Sequence, residues 1–157
     1  MRILVVDAST LITLAKADEI RLLEYSPHQI LTVPEVYRET VDDGRPPTSQ
    51  RIEDMFHRGA VATRGIQGHR KISGISETDS RLVHLAQEFE AAELLSDDQK
   101  LLRRAQHRGL NAHITAVFVQ EIYRAGTISE QRRGRLFASF LENQKYVPAV
   151  LEAVREL

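Results

Sequence analysis

SETDSRLVHLAQEFEAAELLSDDQKLLRRAQHRG, running from Ser76 to Gly109, is the stretch whose reading decides the fold. It reads as helix, strand, helix. Leu82, Leu85, Ala86 and Phe89 recur at helical spacing, which predicts a helix over Thr78 to Glu90. Ala92 to Leu95 is an apolar run of strand length, and Lys100 to Arg108 returns to helical character. Each helix opens with acid: Asp79 at the first, the pair Asp97 and Asp98 at the second. A unit of this kind belongs to a parallel sheet. In an open α/β sheet, ligands sit beyond the carboxyl ends of the strands. Asp97 and Asp98 fall on that edge.

The same alternation extends outward. Arg2 to Val6 reads as a buried central strand that stops at Asp7. Ser9 and Thr10 are N-cap candidates for a helix that breaks near Asp18 and resumes through Leu23. Ile30 to Val33 reads as a second strand, and Pro34 suits the first turn of the next helix. Gly44 to Pro47 is punctuation, Ile52 to Phe56 is helical, and Ala60 to Thr63 is a short strand or extended loop. Arg64 to Gly74, with three glycines, reads as a mobile loop. Ala112 to Val117 is expected to be a strand passing into a helix at Phe118 to Arg124. Arg132 to Glu142 and Val147 to Glu156 are amphipathic helices. The expected architecture is α/β with a mainly parallel sheet, formed as a single domain over residues 1–157.

Composition narrows the function. The chain has 157 residues, of which 42% are hydrophobic, enough to bury a core. It contains no cysteine, which excludes thiolate catalysis, disulfides and zinc sites built on sulfur. That fits a cytoplasmic protein, and no apolar run approaches the length of a membrane span. The opening MRILVVD reads as a first strand rather than a targeting signal. The net charge of −1 does not by itself point to nucleic acid. Basic residues do cluster, however, at Arg64, Arg70 and Lys71 and again at Lys100, Arg103, Arg104 and Arg108. No G-x-x-x-x-G-K-[ST] or G-x-G-x-x-G phosphate loop and no G-x-S-x-G elbow is present. The six histidines show no metal spacing.

What remains is carboxylate chemistry. Right-handed crossovers put every strand-to-helix turn on one sheet edge. Asp7, Glu39, Asp79 and Asp97 with Asp98 all belong to turns or first turns near it. Two carboxylates about 4 Å apart repel by about 4 kcal/mol at an effective dielectric near 20. A fold tolerates this by protonating one or more of them, or by binding a hard divalent cation such as Mg²⁺ or Mn²⁺. Each acid also has an ordinary reading. Ser76-x-x-Asp79 and Ser96-x-x-Gln99 resemble capping boxes, and acids in a first helical turn favour the dipole anyway. Singly, Asp79 or Asp97 is more often a cap than a ligand. Asp7 is harder to dismiss, because it ends a buried strand.

The residues resemble a known family, the PIN domain. VVDASTLI (Val5 to Ile12) resembles its opening, an Asp ending the first strand with a small polar residue, here Ser9, two positions on. VPEVYRE (Val33 to Glu39) is similar to its second motif, with Glu39 as the acid, and SETDSRLVHLA to its third, with Asp79. LLSDDQKLLRRAQHRGL resembles its fourth, a Ser or Thr followed by aspartate. The resemblance implies a three-layer α/β/α sandwich whose acids bind Mg²⁺ or Mn²⁺ and hydrolyse single-stranded RNA. Asp7, Glu39, Asp79, Asp97 and Asp98 would hold the metal, and Ser9 and Ser96 would orient them. In the fourth motif Asp97 is preferred over Asp98, since it directly follows the strand and Ser96. Arg64, Arg70, Lys71, Arg103 and Arg104 are the candidates for gripping the RNA backbone. Many proteins of this family and size resemble toxins of toxin–antitoxin pairs, so an antitoxin or a second copy of the chain is an expected partner. The helices from about residue 118 to 157 are expected to cover the fold or receive such a partner. Two alternatives stand beside the ribonuclease: a catalytically silent binding module on the same fold, and a small phosphate-ester hydrolase. The hydrolase needs an Asp two residues after its nucleophile, where this chain has Ser9.

Overall fold

The computed structural model of the protein describes residues 2–157. Its centre is β1 (Ile3–Val6), whose four residues are all buried. A continuous apolar run suits a strand covered on both faces. β1 is flanked by β2 (Gln29–Thr32) on one side and β4 (Glu93–Leu95) on the other. β3 (Ala62–Thr63) and β5 (Asn111–His113) form the edges, giving a five-stranded, all-parallel sheet in the order β3-β2-β1-β4-β5. The chain fills one half of the sheet, then crosses to β4 and fills the other. The crevice between β1 and β4 is therefore the topological switch point. Val6 pairs with Leu95, so the two strands end level with each other.

The helices fall into two layers. α1 (Ala8–Lys16) packs on α3 (Thr48–His57) and on α6 (Thr115–Arg124). α4 (Glu77–Gln87) lies on β1 and β4, and α5 (Gln99–His107) on β5. The connections through α1 and α5 run in opposite directions along the sheet, so right-handed crossovers set them on opposite faces. α7 (Glu130–Glu142) and α8 (Pro148–Arg155) pack on α6, with Phe137 and Phe140 of α7 fully buried. The bidentate Arg132–Glu19 pair ties α7 back to the 3-10 helix Ile20–Tyr25 that follows α1. One hydrophobic cluster runs from Ile3 to Val154.

Several boundaries differ from the sequence reading, each for a local reason. α1 is capped by Asp7 rather than by Ser9 or Thr10, the Asp7 carboxylate accepting the Ala8 N–H at 2.6 Å. α5 is capped by Asp98, which accepts from Lys100 and Leu101, rather than by Ser96. The expected strand Ala112 to Val117 ends at His113, and α6 begins three residues before Phe118, at Thr115. Ser76 does cap α4, accepting the Asp79 N–H, and Pro34 does open α2 (Pro34–Tyr37). α2 runs into a π turn, Arg38–Asp42, closed by the Asp43 N–H on the Arg38 carbonyl at 2.8 Å.

Candidate active site

Asp7 leaves the end of β1 directly into the switch-point crevice and is only 7% exposed. Its Oδ1 accepts the Ala8 N–H, and its Oδ2 accepts hydroxyl protons from Ser9 at 2.9 Å and Ser96 at 2.7 Å. The two serines also look the other way. Ser9 Oγ accepts the Asp97 N–H at 2.9 Å, and Ser96 Oγ accepts the Asp98 N–H at 3.0 Å. Each hydroxyl thus joins the carboxylate beyond β1 to the backbone beyond β4. The turns after the two strands become one hydrogen-bonded unit.

Asp7, Glu39, Asp79 and Asp98 line one open cleft of about 770 Å³, joined by Glu35 and Asp43 from the α2 and π-turn wall. The crowding of charge shows in the protonation of Asp7, Glu39 and Asp79. Asp79 is pushed up to about 6, first by partial burial and then by the charges of Asp7 and Asp98, with Glu39 adding to them. Burial raises Glu39, and the Asp7 and Asp43 charges add to it. Asp7 is raised by burial, against the hydrogen bonds from Ser96, Ser9 and Ala8 that favour its charged form. The cleft is therefore a site where negative charge is held at a cost.

Asp97 lies elsewhere. Its Oδ2 accepts from the hydroxyls of Thr13 and Thr115, both at 2.9 Å. Its Oδ1 accepts from the Thr115 N–H at 3.0 Å and from the Tyr146 hydroxyl. Four donors from α1, the start of α6 and the α7–α8 loop surround this one carboxylate, and it does not line the cleft. The preference for Asp97 over Asp98 is thus corrected. The residue after Ser96 turns inward to tie helices together, and the next one faces the acids.

The basic residues singled out in the sequence are also absent from the cleft lining. Arg64 pairs with Glu88 at 3.6 Å and stacks over Phe89, and the Arg104 guanidinium packs against the backbone of Gly74. Arg70, Lys71 and Arg103 are exposed, and none of the five lines the cleft. The cations that do are Arg38, beside Glu39 in sequence, and Lys145, from the loop between α7 and α8. Both were missed. Arg38 was legible as part of the VPEVYRE motif, whereas nothing near Lys145 in sequence marks it.

Among the described residues, no three His, Cys, Asp or Glu side chains stand together as a ready-made metal centre. The carboxylates share a cleft without crowding onto a point. All-oxygen donors with unrelieved negative charge suit a hard divalent cation that keeps much of its water, as Mg²⁺ does. Asp7, Glu39, Asp79 and Asp98 fit such an ion chemically.

The PIN domain family described as DUF3368 matches residues 3–154. The chain belongs to the PIN domain family. Proteins of this family are generally nucleases and generally use divalent metals. This PIN domain is similar in fold to a PilT N-terminus domain protein of the hyperthermophilic archaeon Sulfolobus solfataricus P2, with a TM-score of 0.53 and 17% sequence identity. That likeness covers 72% of this chain and 87% of the other. Among proteins of curated function, none matches this PIN domain in sequence. Among its described residues no helix is long and apolar enough to cross a membrane.

Proposed function

We propose that this PIN domain is a divalent-metal-dependent endoribonuclease acting on single-stranded RNA. One observation carries the reading: acids from four separate elements, Asp7, Glu39, Asp79 and Asp98, line a single cleft at the switch point, where burial and neighbouring charge raise the proton affinity of Asp7, Glu39 and Asp79. Such a site is costly to keep unless the charge is used. A bound Mg²⁺ or Mn²⁺ would supply Lewis-acid stabilisation of a phosphodiester and a water of lowered pKa.

The remaining work falls to the chain's own side chains. Ser9 and Ser96 hold the Asp7 carboxylate in one orientation through Oδ2. Asp98 is anchored through Oδ1 on the first turn of α5, which leaves its Oδ2 for the cleft. Asp79, protonated in part near pH 6, releases its proton as the cleft is neutralised. The openness of the cleft suits a flexible single strand, whose backbone can bend to bring one phosphate inward.

The test is cleavage of a single-stranded RNA oligonucleotide in Mn²⁺, compared with EDTA and with Asp7→Asn. Expected is metal-dependent cleavage that Asp7→Asn reduces at least about a hundredfold, in line with loss of an organising charge. The wide spacing of the carboxylates favours one competing reading, a silent RNA-binding module. Binding without cleavage in Mn²⁺ would establish that instead. A toxin role would appear as growth arrest on expression, relieved by Asp7→Asn and by a co-expressed partner protein.

A further inference from the structure

The acidic cleft poses a problem for any polyanionic substrate: every carboxylate in it repels the phosphate it is meant to cut. The cleft has one built-in answer that comes from far along the chain. Lys145, half-buried in the loop between α7 and α8, lines the same cleft as Asp7, Asp79 and Asp98. Among the described residues the other cation lining the cleft, Arg38, is paired with Glu35 at 3.9 Å. Lys145 closes on no carboxylate.

The loop that carries Lys145 is built to hold its place. Gln144 sits in the left-handed region at φ 56°, and the Lys145 N–H returns to the Phe140 carbonyl at 3.0 Å. The next residue, Tyr146, packs edge-on against Phe140. Its hydroxyl donates to Asp97 Oδ1 and accepts the Ala116 N–H at 3.2 Å. Asp97 directly precedes Asp98, so the loop is fastened to the same turn that presents an acid to the cleft. The four donors on Asp97 then acquire a purpose beyond packing, because they fix a C-terminal lysine relative to the reacting end of the sheet.

We propose that Lys145 grips the scissile phosphate of the RNA, with Tyr146 and Asp97 acting as positioning residues for it. The ammonium is a compact point charge with three donors, suited to a non-bridging phosphate oxygen. Its tether limits the freedom it loses on contact. This inference rests on the ribonuclease reading and adds to it the group that receives the substrate's charge.

The experiment uses the full chain with Lys145→Ala and Lys145→Arg, assayed on a short single-stranded RNA in Mn²⁺. Binding of the same RNA is measured in the Asp7→Asn background over a range of salt. Free Mn²⁺ is titrated by electron paramagnetic resonance. Lys145→Ala is expected to lower kcat/KM by about tenfold to a hundredfold, with Lys145→Arg keeping most of the activity. The slope of log affinity against log salt should fall by about 0.7, one phosphate contact on a single strand. Mn²⁺ affinity should stay level or tighten, since a nearby positive charge has gone. Unchanged kcat/KM and slope would overturn the proposal. So would a parallel fall in Mn²⁺ affinity and activity, which would make Lys145 a support for the acids. If the unaltered protein binds RNA without cutting it, the ribonuclease reading fails separately, and the salt slope still decides whether Lys145 meets phosphate.

Discussion

Two neighbouring aspartates show how much one position matters. Asp97 and Asp98 are chemically identical and adjacent, yet Asp97 is enclosed by Thr13, Thr115 and Tyr146 while Asp98 opens onto the acidic cleft. Their substitution by asparagine should therefore separate cleanly. Asp98→Asn keeps an equally good helix cap, so thermal stability should hardly change while RNA cleavage falls at least about a hundredfold. Asp97→Asn removes the charge that four groups now donate to, and its NH₂ must face either the Thr115 N–H, which cannot accept, or hydroxyls that would have to give up donating to it. Replacing charged acceptors in this way should cost about 2–4 kcal/mol in urea unfolding. A result with the roles exchanged would place the reactive acid at Asp97. The sequence preference for Asp97 failed because proximity to the strand end says nothing about which way a side chain turns. That direction is set by Thr13 and Thr115, 84 and 18 residues distant in the chain.

Among elements, the best-read were those whose signals are local. Ser76 caps α4 and Pro34 opens α2, because a cap hydroxyl or a fixed φ acts within one turn. The start of α6 was misread for the opposite reason. Its N-cap residue, Ile114, has no polar side-chain atom to accept a cap hydrogen bond, and the Thr115 N–H is taken by Asp97 from across the fold. The π turn that carries Glu39 was equally invisible. Gly44 follows its C-cap Asp43, and there an added Cβ would come within 2.1 Å of the Thr40 carbonyl oxygen. Gly44→Ala must therefore push the turn outward and move Glu39 with it. The expected outcome is a loss of about tenfold or more in cleavage, with a fall in thermal midpoint of a few degrees. Retained activity would mean that Glu39 tolerates displacement and contributes little.

Across the whole molecule, the cleft couples stability to pH and metal. Asp79 titrates near 3.8 when unfolded and about 6 when folded. Below the lower value both states are protonated and the group is neutral in effect. Between the two, only the unfolded chain has released its proton, so stability falls as pH rises, and above about 6 the loss is complete. Asp7 and Glu39 shift in the same direction. Metal-free protein should thus melt at lower temperature at pH 7.5 than these groups would allow at pH 5. Millimolar Mn²⁺ should raise the midpoint strongly at pH 7.5 and weakly at pH 5, where protons compete for the same oxygens. A metal-induced shift independent of pH would place binding outside this cleft.

The order of apolar strands and amphipathic helices determined the parallel sheet on its own. A continuous buried run, a helical apolar stripe and an acid at each strand end are properties of short segments, and β1, β4, α4 and α5 could be read from them. In a parallel sheet the carboxyl ends of all strands lie on one edge, so Asp7, Asp79 and the Asp97–Asp98 pair were bound to arrive there. Only the tertiary structure decided which of the pair faces the cleft, that Arg64, Arg70, Lys71, Arg103 and Arg104 stand away from it, and that Lys145 reaches it from the C-terminal helices. Those outcomes rest on hydrogen bonds and packing between residues up to 89 positions apart in the case of Ser96 and Asp7. No local pattern encodes such pairings, because the partner of each polar group is chosen by where the whole chain comes to rest.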